Sequence, residues 1–206
     1  QMGGTALADI LFGDASPAGR SPITFYGATT DLPAMAEFNE YPHESSNGTT
    51  YRYYEGAAPT YKFGHGLSYT TFAYSDLALS GTKAPCDDLT VTVTVTNTGD
   101  MASDEVVQVY VKTPDSTVPS PQIRLAAFDR LTNIAPGESR TVELTLTPES
   151  HAVVYPNADS VYVEQTAVES GALEVYVGGA QPDDDGTNGV LSASVSISDT
   201  TMLKAC

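Results

Sequence analysis

The 206-residue sequence has no tryptophan, two cysteines, three histidines, and nine lysines plus arginines against 26 aspartates plus glutamates. Each scarcity excludes something. A formal charge of −17 with no basic stripe repels nucleic acid and anionic membrane surfaces, so neither is expected as a partner. There is no run of about 18 apolar residues to cross a bilayer as a helix, and no charged-then-apolar signal segment opens the sequence. Two cysteines are too few for a disulfide framework and lie too far from any histidine for a zinc site, so no metal and no cofactor are expected. Three fates stay open for them: Cys86 pairs with Cys206, both remain thiols, or Cys206 bonds to a segment outside the sequence.

What is present is enough for a folded body. Apolar residues make up 41% of the sequence, which supports a core and a globular, soluble chain. Gln1 is not an initiator methionine, and the expectation is that the sequence starts inside a longer product. Asn47-Gly48-Thr49 is the single Asn-X-Ser/Thr triplet, placed in a polar turn-like segment where a glycan is tolerated; Asn47 is therefore the candidate N-glycosylation site.

Residues 1–26 read as one αβ unit. Leu7, Ile10 and Leu11 stand at helical spacing in GTALADILF, Gly13 is placed to end that helix, and SPITFY from Ser21 to Tyr26 is a short β-prone run. One helix and one strand cannot bury each other, so the unit is expected to be the C-terminal end of an incomplete α/β sandwich domain. Residues 27–71 form an irregular connector. Within it Tyr51, Tyr53, Tyr54, Tyr61, Phe63 and Tyr69, with Phe72 just past its end, crowd into one short stretch, with Gly56, Pro59, Gly64 and Gly66 forbidding a long helix. That many rings must cover surfaces, so the stretch is expected to be packed between two bodies.

From residue 72 to 206 the period is two. LTVTVTVTN places Leu89, Val91, Val93 and Val95 on one face and Thr90, Thr92, Thr94 and Thr96 on the other, a half-buried strand with a wet threonine side. Similar runs fall at Glu105–Lys112, Arg140–Thr147, Ser160–Glu164, Ala172–Gly178 and Val190–Ser198, with weaker ones at Phe72–Leu79 and Ile123–Leu131. Seven or eight short strands with turns between them and no helical pattern predict a mainly β chain ending in an immunoglobulin-like sandwich of fibronectin type III kind. The absent Cys…Trp…Cys pattern argues against an antibody-type domain.

Several side chains invite chemistry. Asp31, Glu37, Glu40, Glu44 and Glu55 offer carboxylates, yet no His or Arg constellation tunes them, and a solvated acidic surface is the favoured reading. His65 sits between two glycines with His43 and His151 far off in sequence, which favours a packed turn over a ligand. Arg52, between Tyr51 and Tyr53, is expected to pack in the seam, with a carboxylate or a ring as its partner. The rings could also form a sugar platform, but such platforms favour Trp, so interdomain packing is preferred. The expected seam residues are Tyr51, Arg52, Tyr53, Tyr54, Phe63, His65 and Tyr69. Asp183-Asp184-Asp185-Gly186 lacks the alternating register of a calcium loop and reads as a solvated turn.

The strings GGTALADILFGDASPAGRSPITFY, TYRYYEGAAPTYKFGHGLSYTTF, LTVTVTVTNTG with DEVVQVYV, APGESRTVELTL and ALEVYVGG, in this order, resemble the C-terminal third of glycoside hydrolase family 3 enzymes. The resemblance implies a (β/α)8 barrel, an α/β sandwich and a fibronectin type III-like domain in the whole enzyme, which hydrolyses β-glucosides, β-xylosides and some α-arabinosides by a two-step retaining route. The spelling QMGGTALADILFG with Tyr51-Arg52-Tyr53-Tyr54 leans toward the xylosidase-like branch. The family's nucleophilic Asp and acid/base Glu lie upstream of the matched strings, so no catalytic residue is carried over and the chain alone is expected to be inactive. The resemblance further implies upstream barrel and α/β domains, in the same precursor or a companion chain, as partners. It also implies a β-linked saccharide as substrate of the whole enzyme, and an extracellular, secreted setting. The alternative reading is an extracellular structural or adhesion module derived from such an enzyme.

Overall fold

The threonine-and-valine alternation that dominates the second half of the sequence sets the architecture. The computed structural model describes residues 2–34, 41–42, 46–81, 84–156, 164–182 and 189–206. Among the described residues three α-helical segments, α1 (Gly3–Phe12), α2 (Thr50–Tyr53) and α3 (Pro148–His151), and two 3-10 turns accompany ten strands. The strands are β1 (Phe72–Ser80), β2 (Leu89–Asn97), β3 (Ser103–Lys112), β4 (Arg124–Ile134), β5 (Ser139–Leu146), β6 (Val153–Pro156), β7 (Glu164–Val168), β8 (Gly171–Gly178), β9 (Leu191–Ile197) and β10 (Thr201–Met202).

All pairings are antiparallel. One sheet runs β1-β2-β5, the facing sheet β4-β3-β8-β9, and a small sheet β10-β7-β6 flanks them. Strict alternation in β2 sends Val91, Val93 and Val95 inward, fully buried, and leaves the threonines half-exposed on the outer side. They meet Val107, Val109, Val175 and Val177 of the facing sheet, with Leu89, Leu146 and Ile134 completing a dry core. A bulge at Ser75–Ala78 in β1, where Asp76 takes φ 55°, breaks the β1–β2 register. Cys86, in the β1–β2 connection, is disulfide-bonded to Cys206, which tethers the C-terminal end of the chain to that connection.

The first 34 residues look different. α1 ends at Gly13, whose φ of 80° lets its N–H close on the Ile10 carbonyl. None of its residues is buried: Leu7, Leu11 and Phe12 are 58%, 70% and 84% exposed. The β-prone run SPITFY does not form the expected strand. It makes one isolated antiparallel bridge, Phe25 to Tyr61, and backbone bonds at Ser21, because among the described residues no further row of backbone partners lies alongside it. The pattern reading also missed β6, β10 and the single turn α3, which are too short to show a period. The run Ser160–Glu164 falls outside the described residues except for Glu164, which begins β7.

Candidate functional site

The candidate functional surface of the described residues is the seam where residues 16–26 and the aromatic connector meet the β1, β3 and β8 region of the sandwich. At its centre Arg20 and Glu105 form an ion pair of 2.6 Å, the two side chains 11% and 3% exposed. A buried pair survives only when its remaining hydrogen-bonding capacity is met. Here it is: Arg20 Nε donates to the Gly179 carbonyl at 2.9 Å, one terminal nitrogen donates to the Ala18 carbonyl at 3.2 Å, and the Tyr74 hydroxyl donates to Glu105 at 2.6 Å. Burial, with the Glu105 carboxylate beside it, pushes the Tyr74 hydroxyl well above its usual range, so it stays a donor.

Gln108 continues the network across β3. Its side-chain amide donates to the carbonyls of Gly64 (3.2 Å) and Gly179 (2.7 Å), and its carbonyl accepts from the Tyr110 hydroxyl at 2.6 Å. Gly64 is obligatory on two counts: φ is 79°, and a Cβ there would lie 2.3 Å from Gln108 Oε1 and 2.4 Å from the Tyr110 hydroxyl oxygen. Gln181 donates to the Phe63 carbonyl at 3.0 Å, while Ser21 and Gly64 exchange backbone bonds with the connector, Ser21 N–H to His65 and Gly64 N–H to Ser21, each 2.8 Å. At the other end of the seam the wholly buried Asn97 accepts from Thr70 at 2.6 Å and donates to the carbonyls of Met101 and Ile134.

The rings expected in the seam take distinct places. Tyr51 stacks on Phe63 (centroids 4.1 Å apart, planes 10° apart), turns its edge to Tyr110, and its hydroxyl accepts from the Leu125 N–H at 3.1 Å. Tyr54 meets Tyr26 edge-on at 4.8 Å. His65 stacks on Tyr61, and the Tyr69 hydroxyl donates to the Ile10 carbonyl at 2.9 Å, tying α1 to the connector. Tyr53 is buried beneath the Arg52 guanidinium, 5.3 Å from its ring centroid, and Arg52 faces the sandwich; its carbonyl accepts from Gln122 N–H at 2.7 Å. Tyr51 with Phe63 and His65 with Tyr61 are the stacked pairs, while Tyr61 and Tyr69 remain about half exposed.

Between the connector and the sandwich lies a cleft of about 490 Å³ whose walls include Tyr51, Tyr54, Glu55, Lys62, Lys112 and Gln122. Of the five candidate carboxylates, Asp31 and Glu55 are among the described residues, and these two do not form an acid/base pair in the cleft. Asp31 is occupied in accepting from the Ala28 N–H at 2.8 Å, and Glu55 sits exposed at the cleft wall. Glu37, Glu40, Glu44, His43 and Asp183–Gly186 lie outside the described residues. Among the described residues no three His, Cys, Asp or Glu side chains gather as a metal-binding group. Asn47 is exposed at the surface. His151, which carries no ligand spacing in sequence, is buried beside Arg124 and Glu149; burial first, and the Arg124 charge second, lower its pKa to about 4. No helix is long and apolar enough to cross a membrane, among the described residues.

Sequence reasoning missed Arg20, Glu105, Gln108 and Asn97. A charged residue at the first inward position of DEVVQVYV is the one signal that marked Glu105, since a carboxylate on a core face demands a cation.

Comparison with known proteins bears on the same division of the chain. Residues 1–69 match the glycosyl hydrolase family 3 C-terminal domain and residues 105–181 the fibronectin type III-like domain. A β-glucosidase of Rhizobium radiobacter is 43% identical over 162 residues, covering 72% of this chain and 19% of that protein. A periplasmic β-glucosidase of Salmonella typhimurium is 36% identical over 182 residues, 85% of this chain and 23% of that protein. The crystal structure of a Bifidobacterium adolescentis family 3 β-glucosidase superposes with a TM-score of 0.79 at 33% identity, covering 97% of this chain and 28% of that one. The chain thus spans about a fifth to a quarter of the length of these curated relatives. The chain belongs to glycoside hydrolase family 3, of which it carries the C-terminal domain and the fibronectin type III-like domain.

Proposed function

We propose that this chain is the non-catalytic, bracing portion of a family 3 exo-glycosidase. The single observation that carries the reading is the asymmetry of residues 2–34: one side is bolted to the sandwich through Arg20–Glu105, while the other presents the bare apolar stripe of α1, Leu7, Leu11 and Phe12. The stripe is the side that upstream α/β elements of the whole enzyme cover, and the rigid sandwich holds it in place. The division into an α/β end (1–26), a connector (27–71) and a sandwich (72–206) follows the same logic.

The whole enzyme acts on a β-linked saccharide. The names of the relatives favour a β-glucoside over the β-xyloside to which the QMGGTALADILFG spelling leans. Export from the cytoplasm is part of the reading, supported by the Cys86–Cys206 bond, the exposed Asn47 acceptor and the periplasmic relative. No observation favours the adhesion-module alternative.

Two measurements test this. The isolated chain is expected to give no turnover of aryl β-glucoside or aryl β-xyloside; turnover by it refutes the non-catalytic reading. The natural product is expected to be far heavier than 21.7 kDa, or to co-purify with a barrel chain; a lone species of that mass refutes the bracing reading.

A further inference from the structure

The chain has five arginines among 26 acidic residues. Three are ion-paired: Arg20 with Glu105, Arg130 with Asp104, Arg140 with Glu138. The other two, Arg52 and Arg124, have no ion-pair partner among the described residues, and both line one pocket of about 200 Å³. In a chain this acidic, solvated guanidiniums are readily matched with surface carboxylates, so two unmatched ones in a shared concavity are out of pattern.

Both are under electrostatic load. Arg52 Nε is buried with no hydrogen-bond partner among the described residues, an unfavourable state for a charged group. Burial, and then the neighbouring Arg52 charge, lower the Arg124 guanidinium from its ordinary value. Arg124 spends two donors on the carbonyls of Ala152 and Glu149, which fixes its plane against α3. The charged and titratable groups facing the pair are Glu149, which lines the pocket through an exposed carboxylate, and the neutral His151 behind Arg124. The other walls include the rings of Tyr41, Pro119 and Pro121, the apolar Val153 and Val154, and the hydroxyl-bearing Thr166.

We propose that the Arg52–Arg124 pocket binds a small organic carboxylate of the uronate class, its carboxylate bridging the two guanidiniums and its ring lying against Pro119 and Pro121. A planar carboxylate can place one oxygen toward each guanidinium and so offsets the like-charge contact between them. A phosphate carries more charge than this half-buried site needs, and a neutral sugar leaves the guanidiniums uncompensated. The site lies on the sandwich side of the connector, apart from the Arg20–Glu105 network.

The test is a titration of the 206-residue chain followed through its backbone and arginine Nε–H resonances, with D-glucuronate, acetate, D-glucose and sodium chloride as probes. Saturable shifts at Arg52 and Arg124 with D-glucuronate are expected, with acetate weaker by about tenfold and with no saturation by D-glucose or by chloride at equal ionic strength. Arg52→Gln and Arg124→Gln should each weaken D-glucuronate by at least about tenfold, Arg52→Lys by less, and Glu149→Gln should tighten it by removing a repelling carboxylate. Should either Gln variant fail to fold, the four-probe comparison on the unaltered chain decides alone. The proposal is overturned if D-glucuronate gives no saturable shift, if D-glucose or chloride matches it, or if both folded Gln variants bind as before. Acetate binding as tightly as D-glucuronate overturns the uronate class and leaves a carboxylate site.

Discussion

α1 and β2 are built from much the same kinds of apolar side chain, yet Leu7 and Leu11 of the helix stand mostly in water while Val91, Val93 and Val95 of the strand are fully buried. The strand has a facing sheet about 10 Å away to bury against; the helix has a turn and a tyrosine hydroxyl. What joins the two regions is correspondingly different from what holds the sandwich together. The core is dry and aliphatic, while the seam is a polar lattice of Arg20, Glu105, Gln108 and backbone carbonyls, with stacked rings at its edge. A dry core tolerates small repacking; a buried lattice of charges is satisfied only in one geometry. The seam therefore fixes orientation, and the core supplies stability.

That comparison is open to attack by substitution, in order of expected effect. Replacing Cys86 and Cys206 by Ser, or reducing the bond, removes a closure spanning 120 residues, worth about 4 to 5 kcal/mol on the chain-entropy account; chemical denaturation with and without reductant reads it. Glu105→Ala leaves Arg20 buried without its partner and should cost about 3 to 5 kcal/mol. Limited proteolysis should then cut residues 12–34 faster while the sandwich stays intact; equal resistance would dissolve the distinction between seam and core. Leu146→Ala, fully buried, should cost about 3 kcal/mol in the same denaturation measurement.

His151 adds a pH test of the sandwich side. Its folded pKa of about 4 lies below the ordinary 6.5, so between these values the unfolded chain binds a proton that the folded chain refuses. Stability is therefore full above about pH 6.5 and falls as the pH drops toward 4, by on the order of 3 kcal/mol; His151→Gln should flatten that slope in urea melts at pH 7 and 4.5. The smallest effect belongs to α1. Leu11→Ala, at a site that buries nothing in this chain, should change stability by less than about 0.5 kcal/mol, and a cost like that of Leu146→Ala would show that the helix is not bare.

The strands of the sandwich were legible because each side chain in a period-two run declares its face, as LTVTVTVTN does. The run SPITFY declares a strand equally well and forms only one bridge, since a strand needs a neighbour and its pattern does not say whether one is present. The seam was legible as a place, through its crowd of rings, but not as a mechanism. Arg20 and Glu105 lie 85 positions apart, and their pairing depends on where β3 passes under residues 16–26. For the same reason no spacing shows that Arg52 holds Gln122 through its backbone and shares a pocket with Arg124 through its side chain.

The sequence by itself determined the mainly β, fibronectin type III-like architecture, because period-two alternation is a local property. The tertiary structure alone decided which cations meet which carboxylates. It buried Glu105 against Arg20, left Arg52 and Arg124 to share a pocket, and joined Cys86 to Cys206 out of three open fates. Such pairings depend on distances across the fold, and no spacing along the chain encodes a contact that two independently patterned strands make only once they are stacked.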